Sequence, residues 1–281
     1  MLSGAPLTDE QFERARRLAL GLAGIELLDR HRDLLRRRSA RLAMPPALDA
    51  WLAAAEEGDT DARRQLIGLF TTTFTGFFRH PWHFHLAAEQ ALWAAHRRGA
   101  ARLWSAAGAT GEEPYSLAMA LIDVFRRDDP PATILATDID EEALAFAREA
   151  AYGEAGLAAL SPGHRARFVE EPTGEARRRL VPAVRRLVEH RRVNLADVMW
   201  PLDGVFDVVF CRNVLMYLER GHRYAVLERI ASMLAPGGLL LLDPSERLGR
   251  ATTLYVDRGQ GVYTRAPAGG RATVPGARAV R

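Results

Sequence analysis

From residue 100 onward the hydrophobic pattern changes period, and that change limits the fold more than any other feature. Short apolar runs, ARLWSAA (101–107), ATILATD (132–138), FDVVFCR (206–212) and GLLLLD (238–243), alternate with helical patterns near 113–126, 141–151 and 220–235. Strands alternating with helices build βαβ units, so the expected fold class is α/β, a mostly parallel sheet with helices on both faces. Residues 251–265 (ATTLYVDRGQGVYTR) read as an antiparallel hairpin at the sheet's edge. In open sheets of this kind ligands bind beyond the carboxyl ends of the strands. The residues that follow each apolar run are therefore the candidates for chemistry.

The first 70 residues read as short helices. Thr8-Asp9-Glu10-Gln11 has capping-box spacing. A helix is expected over about 26–42, ending before Pro45-Pro46. On it Leu28, Leu35 and Leu42 form a core stripe, while Arg30, Arg37 and Arg41 share another face with Arg36 and Arg38 beside them. Such a face is either solvated or a docking surface for an acidic helical partner. Further helices are expected over about 47–57 and 60–70. The tail from Ala266, rich in Gly, Pro, Ala and Arg, has the composition of a disordered segment.

Composition narrows the function classes. A chain of 281 residues has room for about two domains. No apolar run approaches the ~20 residues of a membrane-spanning helix, so membrane insertion is not expected. No secretory signal is visible at MLSGAPLTDEQFERARR, and the one cysteine, Cys211, fits a reducing, cytoplasmic setting. All 38 basic residues are arginine and the net charge is only +3. Nucleic-acid binding would need those charges gathered on one face, and it is not expected. Nothing in the sequence specifies an oligomer, so a monomer is the default.

The first apolar run leads into Ser105-Ala106-Ala107-Gly108-Ala109-Thr110-Gly111-Glu112-Glu113-Pro114. Small residues there let a ligand approach the backbone at the start of a helix. The loop is neither a Walker loop nor G-x-G-x-x-G. The second run ends at Asp138, where a carboxylate can accept hydrogen bonds from ribose hydroxyls. Asp140, just before EEALAFAREAA, suits helix capping better. Loop and acid together point to an adenosine-containing cofactor.

Taken together, TTTFTGFFR (71–79), RLWSAAGATGEEPYS (102–116), ILATDID (134–140), VNL (193–195) and FDVVFCRNVLMY (206–217) resemble the CheR-type chemotaxis receptor methyltransferases. The resemblance covers about residues 11 to 265. It implies S-adenosylmethionine as cofactor, S-adenosylhomocysteine as product, and methyl-ester formation on glutamate side chains of chemoreceptors. It implies a helical N-terminal domain over 1–70, a linker segment and helix over 71–98, and a Rossmann-like catalytic domain over 99–265. A small β-subdomain would be inserted at about 160–189. Cofactor contacts are implied for Thr73, Thr75, Arg79, Glu113, Asp138, Asn194, Leu195, Arg212 and Asn213. Arg79 and Tyr217 are implied at the methyl-transfer centre. The arginine-bearing helix, with Arg30, Arg37, Arg38 and Arg41, would dock on the helical cytoplasmic region of the receptor.

Two departures from the family pattern stand out. Thr73 replaces the usual Asn of T-T-N-x-T, and Asp243-Pro244-Ser245-Glu246 replaces Gly-His-Ser-Glu. They leave room for two other readings, a non-catalytic adaptor with the same fold or a methyltransferase with a different acceptor. His80, His83 and His85 lack the companion Cys or carboxylates of a metal site, so no metal is expected.

Overall fold

A computed structural model of the chain describes residues 7–39, 48–71, 75–171, 176–246 and 248–267. Four helices come first: α1 (Asp9–Ala23), α2 (Arg32–Ser39), α3 (Leu48–Glu57) and α4 (Thr60–Phe70). They enclose a core of Phe12, Ala19, Leu35, Leu52 and Leu66. The capping box opens α1: the Gln11 amide donates to Thr8 Oγ1, and the Thr8 amide donates to Gln11 Oε1. The single helix expected over 26–42 does not form. The chain runs extended through Ile25, turns through a short 3₁₀ segment (Asp29–His31) and only then enters α2. The turn is fixed locally, because the Leu28 amide donates to His31 Nδ1 at 3.0 Å. Leu27 is buried in place of Leu28, and Leu35 is the one member of the expected stripe in the core. Leu42 and Arg41 lie outside the described residues, as does the expected tail from residue 268.

Next come α5 (Pro81–Arg98), β1 (Ala101–Ser105), α6 (Glu112–Phe125), β2 (Ala132–Asp138) and α7 (Glu141–Glu149). A small excursion follows: β3 (Ala151–Gly153), α8 (Glu154–Leu157), α9 (Pro162–Phe168), β4 (Arg177–Arg179) and α10 (Pro182–Arg185). The chain closes with β5 (Val188–Arg192), β6 (Phe206–Phe210), α11 (Arg220–Met233), β7 (Leu234–Leu241), β8 (Tyr255–Gly259) and β9 (Val262–Arg265). In the excursion β3 pairs antiparallel with β4, and Val169 bridges Leu180. The paired strands therefore start at Ala151, earlier than the 160–189 expected for an inserted subdomain, and among the described residues short helices take up more of the segment than strands do. Arg177–Arg179 has no apolar alternation, which is why periodicity does not reveal that strand.

Seven strands form the main sheet in the order β5-β2-β1-β6-β7-β9-β8. The first five are parallel, and β9 and β8 add an antiparallel hairpin at the edge. Side chains alternate between faces, as the period of two requires. Leu103, Ile134, Val208 and Leu241 pack with α5 and α6 on one face. Trp104, Leu135, Val209 and Leu240 pack with α11 on the other. The chain moves outward from β1 to β2 and β5, then returns to place β6 on the opposite side of β1. That reversal leaves a crevice at the carboxyl ends of β1 and β6. Ser105 lies level with both Ala136 and Phe210, so the β1 and β6 loops leave the sheet at one height while β2 runs two residues further to Asp138.

The helical module is fastened over this crevice by backbone and side-chain bonds. Ile25 bridges Leu218, the Glu26 amide donates to Tyr217 O at 2.9 Å, and the Glu219 amide donates to Gly24 O at 2.9 Å. Gly24 turns the chain with φ of 64°, and a Cβ there would stand 2.7 Å from that of Ala196. Both the dihedral and the close approach demand glycine. Gly24→Ala is expected to lower unfolding stability by about 1–3 kcal/mol, read from urea denaturation monitored by tryptophan fluorescence.

Candidate functional site

Each strand end contributes one wall of the crevice. Thr75, Arg79, Glu113, Asp138, Asn194, Leu195, Arg212, Asn213 and Tyr217 all line one cavity of about 940 Å³, open mouth included. Thr73 lies outside the described residues. Small residues of the β1 loop, Ala106, Ala107 and Ala109, form the floor. The sequence reading did not anticipate the wall that the helical module supplies through Ala23, Ile25 and Phe70. Its only sequence signal is the apolar run after Gly24, which needs cover once the helix has ended.

At the end of β2, Asp138 is held by two backbone donors, Ala109 N at 2.9 Å on Oδ2 and Asp140 N at 3.0 Å on Oδ1. Burial raises its carboxyl to about 6 against the lowering effect of those bonds. Asp140 caps α7, accepting from the Glu142 and Ala143 amides, and Thr71 Oγ1 donates to its other oxygen at 3.1 Å. Asp140 thus does the capping, and Asp138 is the one that lines the cavity.

At the end of β6, Arg212 is almost fully buried, lying over the rings of Phe84 and Phe210. Its Nη2 donates to Arg79 O at 2.7 Å, and its Nη1 lies 3.4 Å from Glu113 Oε2. Ser105 Oγ donates to Glu113 Oε1 at 2.8 Å. Burial raises the Glu113 carboxyl, with the Arg212 charge and the Ser105 hydroxyl pulling the other way. Arg212 Nε and Nη1 are buried without a hydrogen-bond acceptor. A buried cation with orphaned donors on a cavity wall is a costly arrangement unless a ligand completes it.

Asn194 lines the cavity, but its polar atoms are turned into the protein. Nδ2 donates to Leu22 O at 3.0 Å and to Asp197 Oδ1 at 2.9 Å, and Oδ1 accepts from Ala196 N at 3.0 Å. The resemblance places this residue near the cofactor, and these bonds leave Oδ1 with a second lone pair. Its observed work is to tie the end of α1 to the β5 loop.

The rim carries backbone strain. Phe78, His80, Ala109 and Asn213 all have positive φ, between 46° and 60°. None is glycine, and each such residue costs about 1–3 kcal/mol unless its surroundings enforce it. Phe78 and His80 flank Arg79. Beneath them lies Asp243, buried at the end of β7. Its Oδ2 accepts from Asn213 Nδ2 at 3.0 Å, and its Oδ1 accepts from Ser245 N and Oγ at 3.0 and 2.6 Å. Arg79 Nη2 and His80 Nε2 lie 3.5 and 3.3 Å from Oδ2. Burial alone would raise this carboxyl, but the Ser245 and Asn213 hydrogen bonds and the Arg79 charge hold it below the usual carboxylate range.

The arginines expected to dock a partner separate into two kinds. Arg30 and Arg37 are exposed. Arg38 is half-buried and donates to Leu69 O at 2.9 Å and to Thr71 O, so it joins α2 to the end of α4. His83 is buried with Nε2 3.0 Å from Gln260 O, and His80 caps α5. Among the described residues no group of three or more His, Cys, Asp or Glu is placed to hold a metal ion. No described helix is long and apolar enough to cross a membrane.

Residues 73–261 match the model of the CheR methyltransferase SAM binding domain. The chain is 35% identical to chemotaxis protein methyltransferase 2 of Pseudomonas aeruginosa over 92% of its length and 93% of that protein. It is 36% identical to the chemotaxis protein methyltransferase of Salmonella typhimurium, covering 92% of this chain and 90% of that one. Identity to the probable chemotaxis protein methyltransferase of Rhizobium etli is 38%, over 72% and 78%. With that match spanning most of a doubly wound sheet whose crevice gathers an acidic strand end and a buried arginine–glutamate pair, the chain belongs to the CheR family of S-adenosylmethionine-dependent methyltransferases.

Proposed function

We propose that the chain esterifies glutamate side-chain carboxylates in the helical cytoplasmic region of chemoreceptors, acting in the cytoplasm as a monomer. The observation that carries this reading is the single crevice that holds both a nucleoside-type site and the exposed end of Arg79. Asp138 suits ribose hydroxyls, since an ionised carboxylate accepts two hydrogen bonds. Glu113 and Arg212, one anion beside one cation with orphaned donors, match the zwitterionic amino-acid end of the cofactor. Leu195 and Ile139 offer apolar surface for a base, while Thr75 and Asn213 complete the wall. Thr73 keeps its place in the proposal as a hydroxyl donor at the entry to this segment.

Bound S-adenosylmethionine supplies a methyl group on a sulfonium, open to displacement. The acceptor needs no general base, because a glutamate carboxylate with a pKa of ~4.3 is already ionised at neutral pH. What the protein must provide is alignment, which is worth roughly 7–11 kcal/mol when reactants are well oriented. Arg79 has a side chain 38% exposed at the rim, so its planar fork can meet an incoming carboxylate. Tyr217, half-buried between the crevice and the helical module, shapes the space beside it. Exposed Arg30 and Arg37 make the receptor-docking surface, Arg41 keeps its place in it through the family resemblance, and Arg38 supports it from within.

Arg79→Ala should lower methylation of a receptor fragment by about 100-fold, and Tyr217→Phe by about ten-fold, with S-adenosylhomocysteine affinity retained. Full activity in both variants would defeat the assignment; the assay is release of alkali-labile methyl groups. Reversal of Arg30, Arg37 and Arg41 to Glu should cut methylation without affecting cofactor affinity, and equal loss of both would make the segment structural. Cofactor affinity should also depend on pH through Asp138. The carboxylate form binds, so affinity is flat above about 7 and falls by up to about ten-fold per unit below about 6. Calorimetric titration with S-adenosylhomocysteine between pH 5 and 8 measures this, and the slope should vanish in Asp138→Asn.

A further inference from the structure

We propose that Asp243 is a positioning residue that tempers the charge of Arg79, so that the acceptor carboxylate is oriented without being held too tightly. The proposal deepens the reading above and rests on it. Attack on the methyl group neutralises the acceptor carboxylate. Any cation that grips this carboxylate therefore stabilises the ground state more than the transition state, and a tighter grip lowers turnover. An arginine at the rim orients the acceptor, yet alone it would impose that cost.

Asp243 is placed to reduce it. Its Oδ2 lies 3.5 Å from Arg79 Nη2, an ion pair with the guanidinium. The carboxylate is fixed from beneath by Asn213 Nδ2 and by both Ser245 donors, so it cannot swing away with Arg79. His80 Nε2 shares the same oxygen at 3.3 Å. Asp243 is 4% exposed whereas the Arg79 side chain is 38% exposed. The geometry is that of a rigid buried anion and a half-exposed cation that reaches outward from it. The position lies in the segment that departs from the family's usual Gly-His-Ser-Glu, where glycine offers no charge. The same negative charge also disfavours an over-tight approach by a second carboxylate.

The test compares the full-length protein with Asp243→Gly, which restores the usual residue of that segment, and with Asp243→Asn. Methyl transfer is measured against a purified cytoplasmic chemoreceptor fragment at saturating S-adenosylmethionine. Loss of Asp243 should lower KM for the fragment by about five-fold and lower kcat by a similar factor, leaving kcat/KM nearly unchanged. Asp243→Glu should restore part of both. In an Arg79→Ala background the Asp243 substitutions should have no such effect, because the residue acts through Arg79. Unchanged S-adenosylhomocysteine affinity certifies that a variant is folded, and Asp243→Asn carries the same expectation should the glycine variant fail that check. A fall in kcat and kcat/KM together at constant KM would make Asp243 merely structural and overturn the proposal. The same KM and kcat changes without Arg79 would overturn it too. Absence of methyl transfer by the unaltered protein, despite cofactor binding, would instead overturn the functional reading and remove the basis of this one with it.

Discussion

The reversal of strand order beside β1 is the constraint on which the rest of the structure depends. Parallel strands need crossover connections, and a right-handed crossover places its helix on one face only. Winding outward to β5 and then returning to β6 covers both faces and forces two neighbouring loops to part. The gap that results lies where the carboxyl ends of β1 and β6 stand level and β2 runs two residues further. Four polar groups hang from those ends: Glu113 follows β1, Asp138 ends β2, and Arg212 and Asn213 follow β6.

Two buried charges of opposite sign organise this gap. Arg212 is braced by aromatic rings, the Arg79 carbonyl and Glu113, while Asp243 is braced by Asn213 and Ser245. Burying either charge alone would be expensive, and each is stabilised by hydrogen bonds from residues on separate loops. The same bonds lock the left-handed conformations of Asn213 and of the residues flanking Arg79. Folding free energy is thereby held in the rim's left-handed conformations, which is the kind of fixed geometry preorganisation requires.

Much of this was legible in the chain before any coordinates. The apolar runs at 132–138 and 206–210 became strands because fully buried parallel strands need unbroken apolar residues. The capping residues Thr8 and Asp140 declared their helices through side-chain oxygens at the right offsets. The segment 26–42 was not legible, because Leu28, Leu35 and Leu42 fit a helical period that tertiary contacts override. Ile25 pairs with Leu218, nearly two hundred positions away, and no local pattern encodes that. Asn194 was placed at the cofactor by the family resemblance, and it does line the cavity. Its hydrogen bonds to Leu22 and Asp197 depend on the helical module and on a loop geometry that spacing alone does not carry. Arg38 is a similar case: as one arginine in a run it looks like surface, but its backbone acceptors at Leu69 and Thr71 make it a strut.

The fastening of α1 to the β5 and β6 loops has a thermodynamic consequence. Few bonds join the helical module there: one bridge at Ile25, two amides at Glu26 and Glu219, and the Asn194 side chain. The cavity wall is completed only when they are made, since Ala23, Ile25 and Phe70 stand on the module's side. A ligand in the crevice therefore touches both parts at once and binds the fastened arrangement better than a detached one. By linkage, every increment of affinity it gains from that wall returns as resistance of the module to opening. The cofactor's occupancy and the rigidity of the helical module are thus one equilibrium observed at two places.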